Sequence, residues 1–515
     1  MAEALLVWLF FLLNFLRVNS YSFLRPESAM LLLLFFAPTA MFGWLCRKAG
    51  RPWIFYGLLL AVIEDLSFGV FCFGQNPWRR VIAAGIVTLL FLIAFLAKNK
   101  IRPLLRLVLT VSLISTFFLS IFIPERLFVS RTKNAASEKI QNKPNIYFFI
   151  LDEHIGMAGW PDYPQTVGLG KEISDYYLKE GFSVYPKAYS NFCATLDSIP
   201  SIINSEIPVL ARTQIQGKKI KKSRLFEKWR EGGYQIRVYQ SSHLDYSSPE
   251  GVVTDKSFTY KETSSGFVAN TSLSVFEKFW VLLNNFIEGS SSVILKKAFS
   301  HFLPNHDSVG MYMTGALAAD PVIQELEKDV AANPRGTAFF VHFLIPHSSY
   351  IFNSQGSVIS PFLWESAYGE DLESVEGKLN SPESRHKKYL MYGGQVRYTH
   401  KLMDNFFSFL KQKGLFQESI IFIMSDHGSR IFTTNPEEKN KKFLTQDDLR
   451  DAYAAFLVTK NGNQTSSLHP ERIPTISEAA NFFGLPLIRP EEYKKRFYQT
   501  AKNTPPREAG GSNAF

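Results

Sequence analysis

The apolar positions divide the chain in two. Up to about residue 123 they come in long unbroken runs, and beyond residue 143 in short runs set between polar stretches. The long runs predict membrane-spanning helices over 4–16, 30–45, 54–73, 81–97 and 104–123. A bilayer core takes about 17–25 residues of helix, so the last three are long enough and the first two marginal. A cleavable signal peptide competes for the first run, but Glu3 stands where a basic segment belongs and no small-residue cleavage site precedes the next run.

The short runs read differently. Residues 145–151 (NIYFFIL), 337–344 (TAFFVHFL) and 419–424 (SIIFIM) are continuously apolar, as in strands buried on both faces. Residues 234–239 and 452–458 are predicted as further strands, and 224–233, 385–413 and 476–483 as helices, the long one ended by Gly414. The aromatic stretch 267–303 is helical in pattern and suits either core or a lid near the membrane surface. Buried strands separated by helices imply an α/β domain with a central, mostly parallel sheet. The expected division is a transmembrane domain over 1–123, a connector over 124–143, a catalytic domain over 144–490 and a tail over 491–515 that looks disordered from about Lys502. In the connector, Leu127, Phe128 and Val129 suit a short amphipathic helix at the membrane interface.

Two of the buried strands end in acids. The run 145–151 leads into Asp152 and Glu153, and the run 419–424 into Ser425, Asp426, His427 and Gly428. The C-terminal edge of an open α/β sheet is where ligands bind, and a carboxylate beside an imidazole suits a divalent metal. A lone Asp-His pair serves a polar turn as readily. Two strands ending alike favour a site. Thr195, in SNFCATLDS, opens a predicted helix, where backbone N–H groups favour anions.

Other candidates have bland alternatives. Glu153 is either a metal ligand or an acid that orients one, and Arg430 either grips a substrate phosphate or is an exposed loop arginine. His243 and Asp245 favour a turn over the site edge, and His342, inside an apolar strand, reads as a core histidine. Glu64 and Asp65 fall in the middle of a predicted span, where charge is costly; they either pair within the bundle or serve a headgroup-binding site.

Composition narrows the partners. The net charge of +10 comes without a recognisable nucleic-acid module, and its basic residues flank apolar runs, which points to anionic lipid. Arg47, Lys48 and Arg51, and Lys98, Lys100, Arg102 and Arg106, place two loops in the cytoplasm and everything after residue 123 outside, against Arg79 and Arg80 on the opposite loop. Of three cysteines only Cys193 falls in the globular part, which excludes a disulfide framework there. The sequons at Asn270 and Asn463 add nothing without a secretory host.

In order, Asp152-Glu153, Thr195, His347 in HFLIPHSSY and SDHG at 425–428 resemble the alkaline phosphatase and sulfatase superfamily, over roughly residues 144–490. The pattern is similar to its membrane-anchored bacterial branch of lipoteichoic acid synthases and phosphoethanolamine transferases. The resemblance implies an alkaline-phosphatase-like α/β/α domain behind a helical transmembrane bundle in the bacterial inner membrane, multi-pass, with the catalytic domain on the periplasmic or extracellular side. It implies a divalent metal, zinc foremost with manganese, magnesium or calcium as alternatives, at Asp152, Glu153, Asp426 and His427, with Thr195 as ligand and nucleophile. His347 would be catalytic and substrate-binding, joined by Arg430 at the substrate.

The activity expected is transfer of a phosphoethanolamine- or phosphoglycerol-like group from a membrane phospholipid to an envelope glycan or lipid. The alternative is hydrolysis of sulfate or phosphate esters. No nucleic-acid or protein partner is evident, and a scaffold with a degenerate site is disfavoured by the complete set of residues. Sulfatases of the formylglycine type carry a Cys/Ser-x-Pro/Ala-x-Arg pattern; here Cys193 is followed by Thr195 and Asp197 at the last two positions, so that signal is absent. Beyond Gly428 the Glu and His elements of the phosphoethanolamine transferases are missing too, which puts a second metal site of their type in doubt.

Overall fold

The computed structural model describes residues 2–68, 88–96, 100–122, 126–132, 142–206, 215–216, 218–247, 249–290, 292–299, 314–365 and 380–487. The chain forms two compact units, one of Met1–Leu127, Thr263–Thr314 and Ser360–Leu363, the other of Phe128–Glu262, Gly315–Ile359 and Trp364–Phe515.

The first unit holds the helices Ala2–Val18, Pro26–Lys48, Pro52–Phe68 and Ile101–Phe122, and also Val275–Gly289 and Val293–Phe299. Division of the sequence at residue 123 leaves these last two with the catalytic domain. They belong here through packing: Phe286 meets Phe35 at 5.4 Å and Phe15 at 5.3 Å between ring centroids. Pro26 opens its helix at a position that has no N–H to lose, and 23 residues at 1.5 Å each reach about 35 Å. Among the described residues this is the one helix long and apolar enough to cross a membrane; the apolar stretches Pro52–Ile63 and Pro103–Thr116 are shorter.

The described residues therefore do not support the five-span, multi-pass reading. The predicted span 81–97 lies largely outside them. Two charges in this unit find partners: Glu3 pairs with Arg106 at 2.6 Å and Arg47 at 3.7 Å, and Asp65 accepts a hydrogen bond from Ser292. The Glu64 side chain lies outside the described residues.

The second unit carries the described strands β1 Phe128–Thr132, β2 Ile146–Leu151, β3 Ser183–Val184, β4 Ala188–Tyr189, β5 Ile215–Gln216, β6 Lys219–Ile220, β7 Gln235–Ser241, β8 Lys256–Tyr260, β9 Thr337–Phe343, β10 Ile420–Met424, β11 Leu457–Asn461, β12 Ser467–Leu468 and β13 Ile473–Pro474. Nine form one sheet in the order β1-β8-β7-β9-β2-β10-β11-β3-β12, with β4 on β13 and β5 on β6 as separate ribbons. The block β8-β7-β9-β2-β10 is parallel throughout, and β11 runs against β10. The fold is thus α/β with a mostly parallel central sheet.

β2 is buried at every position because it has neighbours on both sides and helices on both faces. On one face Phe148 stacks between Phe340 at 5.5 Å and Phe422 at 5.1 Å, a row of rings across three strands. On the other Tyr147 and Phe149 pack edge-on against Phe406, from the helix Pro382–Gln412.

Two local expectations change. Phe128 and Val129 begin the edge strand β1, paired antiparallel with β8 and stacked through Phe128 on Phe258 at 5.1 Å, so this stretch is not an amphipathic helix. Alternation of one aromatic and one β-branched residue is as good a strand signal as a helical one over so short a run. The predicted strand 452–458 begins later, at Leu457: Ala452 lies in the last turn of the helix Gln446–Tyr453, whose Thr445 and Asp448 form a capping box.

Candidate active site

Register decides what meets at the sheet's edge. β2 pairs with β10 so that Ile150 lies beside Met424, which puts Asp152 and Asp426, each two residues further on, side by side. β9 brings His342 beside Ile150, on the face that Asp152 shares. The helix Thr195–Asn204 covers that face through Ile199, Ile202 and Ile203. Ser198 docks it by donating to the Asp426 carbonyl at 2.5 Å, and Thr195, one turn earlier, faces the same loop.

The result is a buried cluster. Ligand atoms of Asp152, Asp426 and His427 lie within 4.8 Å of one another, and none of the three is more than 1 % exposed. The Thr195 hydroxyl sits 3.3 Å from His427 Nε2 and 3.5 Å from Asp152 Oδ1. His427 Nδ1 donates to the Gly428 carbonyl at 3.0 Å, which leaves the Nε2 lone pair facing the carboxylates, 3.2 Å from Asp426 Oδ2. Asp426 Oδ1 accepts from the Glu153 and His427 amides at 3.2 Å and 3.0 Å, but the buried Oδ2 has no hydrogen-bond donor.

Two hard oxygen donors, an imidazole fixed in the right tautomer and an oxygen lacking a donor fit a divalent cation. Charge is unevenly shared within the cluster. Burial pushes Asp152 up, but His347, His342 and His427 outweigh it and hold the carboxyl well below its usual range. Burial and Asp152 together push Asp426 up. Burial disfavours charge on His427, yet Asp426, Asp152 and Glu153 raise it.

The Glu153 carboxylate turns the other way. Its Oε1 lies 3.3 Å from Arg430 Nη1 and 3.5 Å from His347 Nε2, and Oε2 accepts from the Ser348 amide at 3.2 Å. Glu153 and Arg430, ion-paired here, both have left-handed backbones, with φ of 61° and 59°. Such conformations cost about 1–3 kcal/mol in non-glycine residues and gather at functional sites. His347 and Arg430 remain partly exposed, at 13 % and 21 % of their side chains, so they border the side from which a substrate arrives.

Gly428 earns its place by contact and not by turning. A Cβ here would lie 2.4 Å from the Asp451 carbonyl oxygen, which also accepts from the Arg430 amide at 2.8 Å. Gly428→Ala is expected to displace the Asp426-His427 loop, lowering stability by about 1–3 kcal/mol and weakening metal retention. Thermal unfolding and metal content measure both; an unchanged melting temperature with full metal content would contradict it.

One neighbour of the cluster was legible only as a core residue. His342 is indeed buried in the core, but its Nε2 lies 3.2 Å from Asp152 Oδ2. Strand parity was the signal, because Ala338 and Phe340 share the face that carries His342. His243 faces Glu262, with Nδ1 3.5 Å from Oε2, and that carboxylate raises its pKa. Asp245 caps a turn, accepting from the Ser247 amide at 2.8 Å. Cys193 packs beside Phe432 and Tyr453, where burial pushes its thiol up and away from nucleophilic use.

Fold and site together define an α/β domain with a candidate metal centre at the edge of a mostly parallel sheet. A family model described as Sulfatase matches residues 173–471, more than half of the 515 residues, and the chain belongs to the sulfatase family. It is an enzyme acting on sulfate or phosphate esters. The match includes Thr195, His347, Asp426 and His427 and begins after Asp152 and Glu153.

Among solved structures, the chain is similar to a phosphonate monoester hydrolase of Agrobacterium radiobacter at 11 % identity, over 67 % of this chain and 74 % of that one, with a TM-score of 0.40. A phosphonate monoester hydrolase from Silicibacter pomeroyi is similar at 14 % identity, over 67 % and 74 %, with a TM-score of 0.38. An alkaline phosphatase superfamily protein from Vibrio parahaemolyticus is similar at 13 % identity, over 73 % and 74 %, with a TM-score of 0.37. No curated protein sequence matches.

Proposed function

We propose that this enzyme cleaves a phosphate ester through a covalent Thr195 intermediate and, held to the bacterial inner membrane by its apolar helix Pro26–Lys48, passes a phospho-alcohol group from a phospholipid to an envelope glycan or lipid. The observation that carries the reading is the Thr195 hydroxyl, 3.3 Å from His427 Nε2 and 3.5 Å from Asp152 Oδ1. A hydroxyl so placed would give its proton to solvent more readily with a cation bound beside it.

Asp152, Asp426 and His427 would hold the metal, zinc foremost among divalent ions, with Thr195 beside them. When bound it would supply Lewis acidity and lower the pKa of a hydroxyl it touches. Thr195 Oγ attacks phosphorus, the bond from phosphorus to the leaving alcohol breaks, and that alcohol takes a proton. His347 is placed to give it, and Arg430 to hold non-bridging oxygens; Glu153 keeps both in position. In the second half an acceptor hydroxyl attacks the threonine ester, gives up its proton and returns Thr195 to its starting state. The apolar helix Pro26–Lys48 supports a lipid donor, since it would keep the enzyme at a bilayer.

The second reading, hydrolysis of sulfate or phosphate esters with water as acceptor, is favoured by the family match. Protein incubated with headgroup-labelled phospholipids and no acceptor separates them. Transfer predicts that the headgroup phosphate stays on the peptide containing Thr195 and leaves with an added glycan. Untouched lipids, with turnover of soluble aryl sulfates or phosphates, would sink transfer and leave hydrolysis.

A further inference from the structure

We propose that one face of the helix Pro382–Gln412 is the template on which the active site is assembled, with Gln395 and Tyr392 as positioning residues, Gln395 for the loop carrying His347 and Tyr392 for the backbone of Glu153. The inference rests on the ester-transfer reading above.

Three loops at the catalytic edge meet this helix through buried polar side chains. Arg385 forms a two-pronged pair with Asp451, at 2.8 Å and 3.0 Å, and Tyr389 shares a hydrogen bond with Ser429 at 2.8 Å. These hold the segment that packs on Gly428. Tyr392 donates to the Glu153 carbonyl and accepts from the Ile155 amide, both at 2.7 Å, so its hydroxyl bridges the left-handed residue. His400 meets His154, the next residue along, at 2.9 Å between Nε2 atoms.

Gln395 does most. Its Oε1 accepts from the Ile351 and Phe352 amides at 2.7 Å and 3.2 Å, while Nε2 donates to the carbonyls of Pro346, His347 and Ser349 at 3.1 Å, 2.8 Å and 3.4 Å. The whole capacity of one amide is spent on a single loop. Gln395 and Tyr392 are fully buried, and neither touches Asp152, Asp426 or His427 through any of these bonds. At 100° per residue, positions 385, 389, 392, 395 and 400 fall on one side of the helix. A single rigid element therefore fixes the His347 loop, the Glu153 turn and the Gly428 loop relative to one another.

The test uses full-length zinc-loaded protein carrying Gln395→Met or Tyr392→Phe. Hydrogen–deuterium exchange reads position directly: Gln395→Met should speed exchange at 347–352 and spare 152–155, and Tyr392→Phe the reverse. Zinc content should be unchanged. Turnover should fall about 10²-fold in kcat for Gln395→Met with KM within about threefold, since small misplacement of a catalytic group costs that much. In a His347→Ala background the same change should cost less than about twofold more, because coupled residues are not additive. Unaltered local exchange, or a full further loss on top of His347→Ala, would overturn the positioning role. Local exchange changes in a protein whose wild type cleaves no ester would instead sink the ester-transfer reading and keep the template.

Discussion

Thr195→Ala is expected to abolish turnover, by at least about 10⁴-fold, while metal content and fold stay intact. The side chain removed is small, sits at the first position of its helix and has no capping duty, since Ala194 is the N-cap and makes no side-chain cap bond. Ser198 still docks the helix onto Asp426. What disappears is the one hydroxyl among the described residues that lies beside His427 and Asp152 together. Cys193→Ala, two residues away, should change turnover by no more than about threefold, less than 1 kcal/mol in barrier. The control is sharp because the neighbouring thiol is the other nucleophile a sulfatase-like enzyme could use. Mass spectrometry of protein stalled with donor and no acceptor should find the adduct on Thr195. An active Thr195→Ala protein, or an adduct on Cys193, would overturn the assignment.

How much of this could be read from the chain depends on the range of each interaction. The strands β2, β9 and β10 are legible as runs, because a strand with neighbours on both sides and helices on both faces must be apolar throughout. Their ends then advertise Asp152 and Asp426. Sequence does not show register, and register alone places those carboxylates side by side and His342 against one of them. Gln395 and Tyr392 look like ordinary polar and aromatic positions of a long helix. Gln395 is 48 residues from His347 and Tyr392 is 239 from Glu153, so no local pattern marks either. The same limit explains the first unit. The helix Val275–Gly289 joins residues near the N-terminus through Phe286 and Phe35, and Ser292 reaches Asp65 across 227 positions. Its amphipathic pattern predicts a buried face without naming the partner.

Asp426→Asn and His427→Ala should each remove metal and turnover together. Both side chains are wholly buried, and both are held by backbone contacts that survive the change in outline: Ser425 remains paired with Phe456 through main chain and side chain, at 2.9 Å and 2.8 Å. The loop therefore stays while its donor atoms go. With only Asp152, Asp426 and His427 converging among the described residues, loss of one leaves two protein donors. That is too few for a tightly held zinc, which takes at least three in catalytic sites. Zinc added to the wild-type protein should raise its melting temperature, because a ligand that binds only the folded state stabilises it by mass action, about 2.7 kcal/mol at a hundredfold excess over Kd. Neither variant should show that rise. Metal analysis by mass spectrometry and thermal unfolding with and without zinc decide the matter. A variant that keeps full metal content while losing turnover would remove Asp426 or His427 from the ligand set and leave it a catalytic role alone.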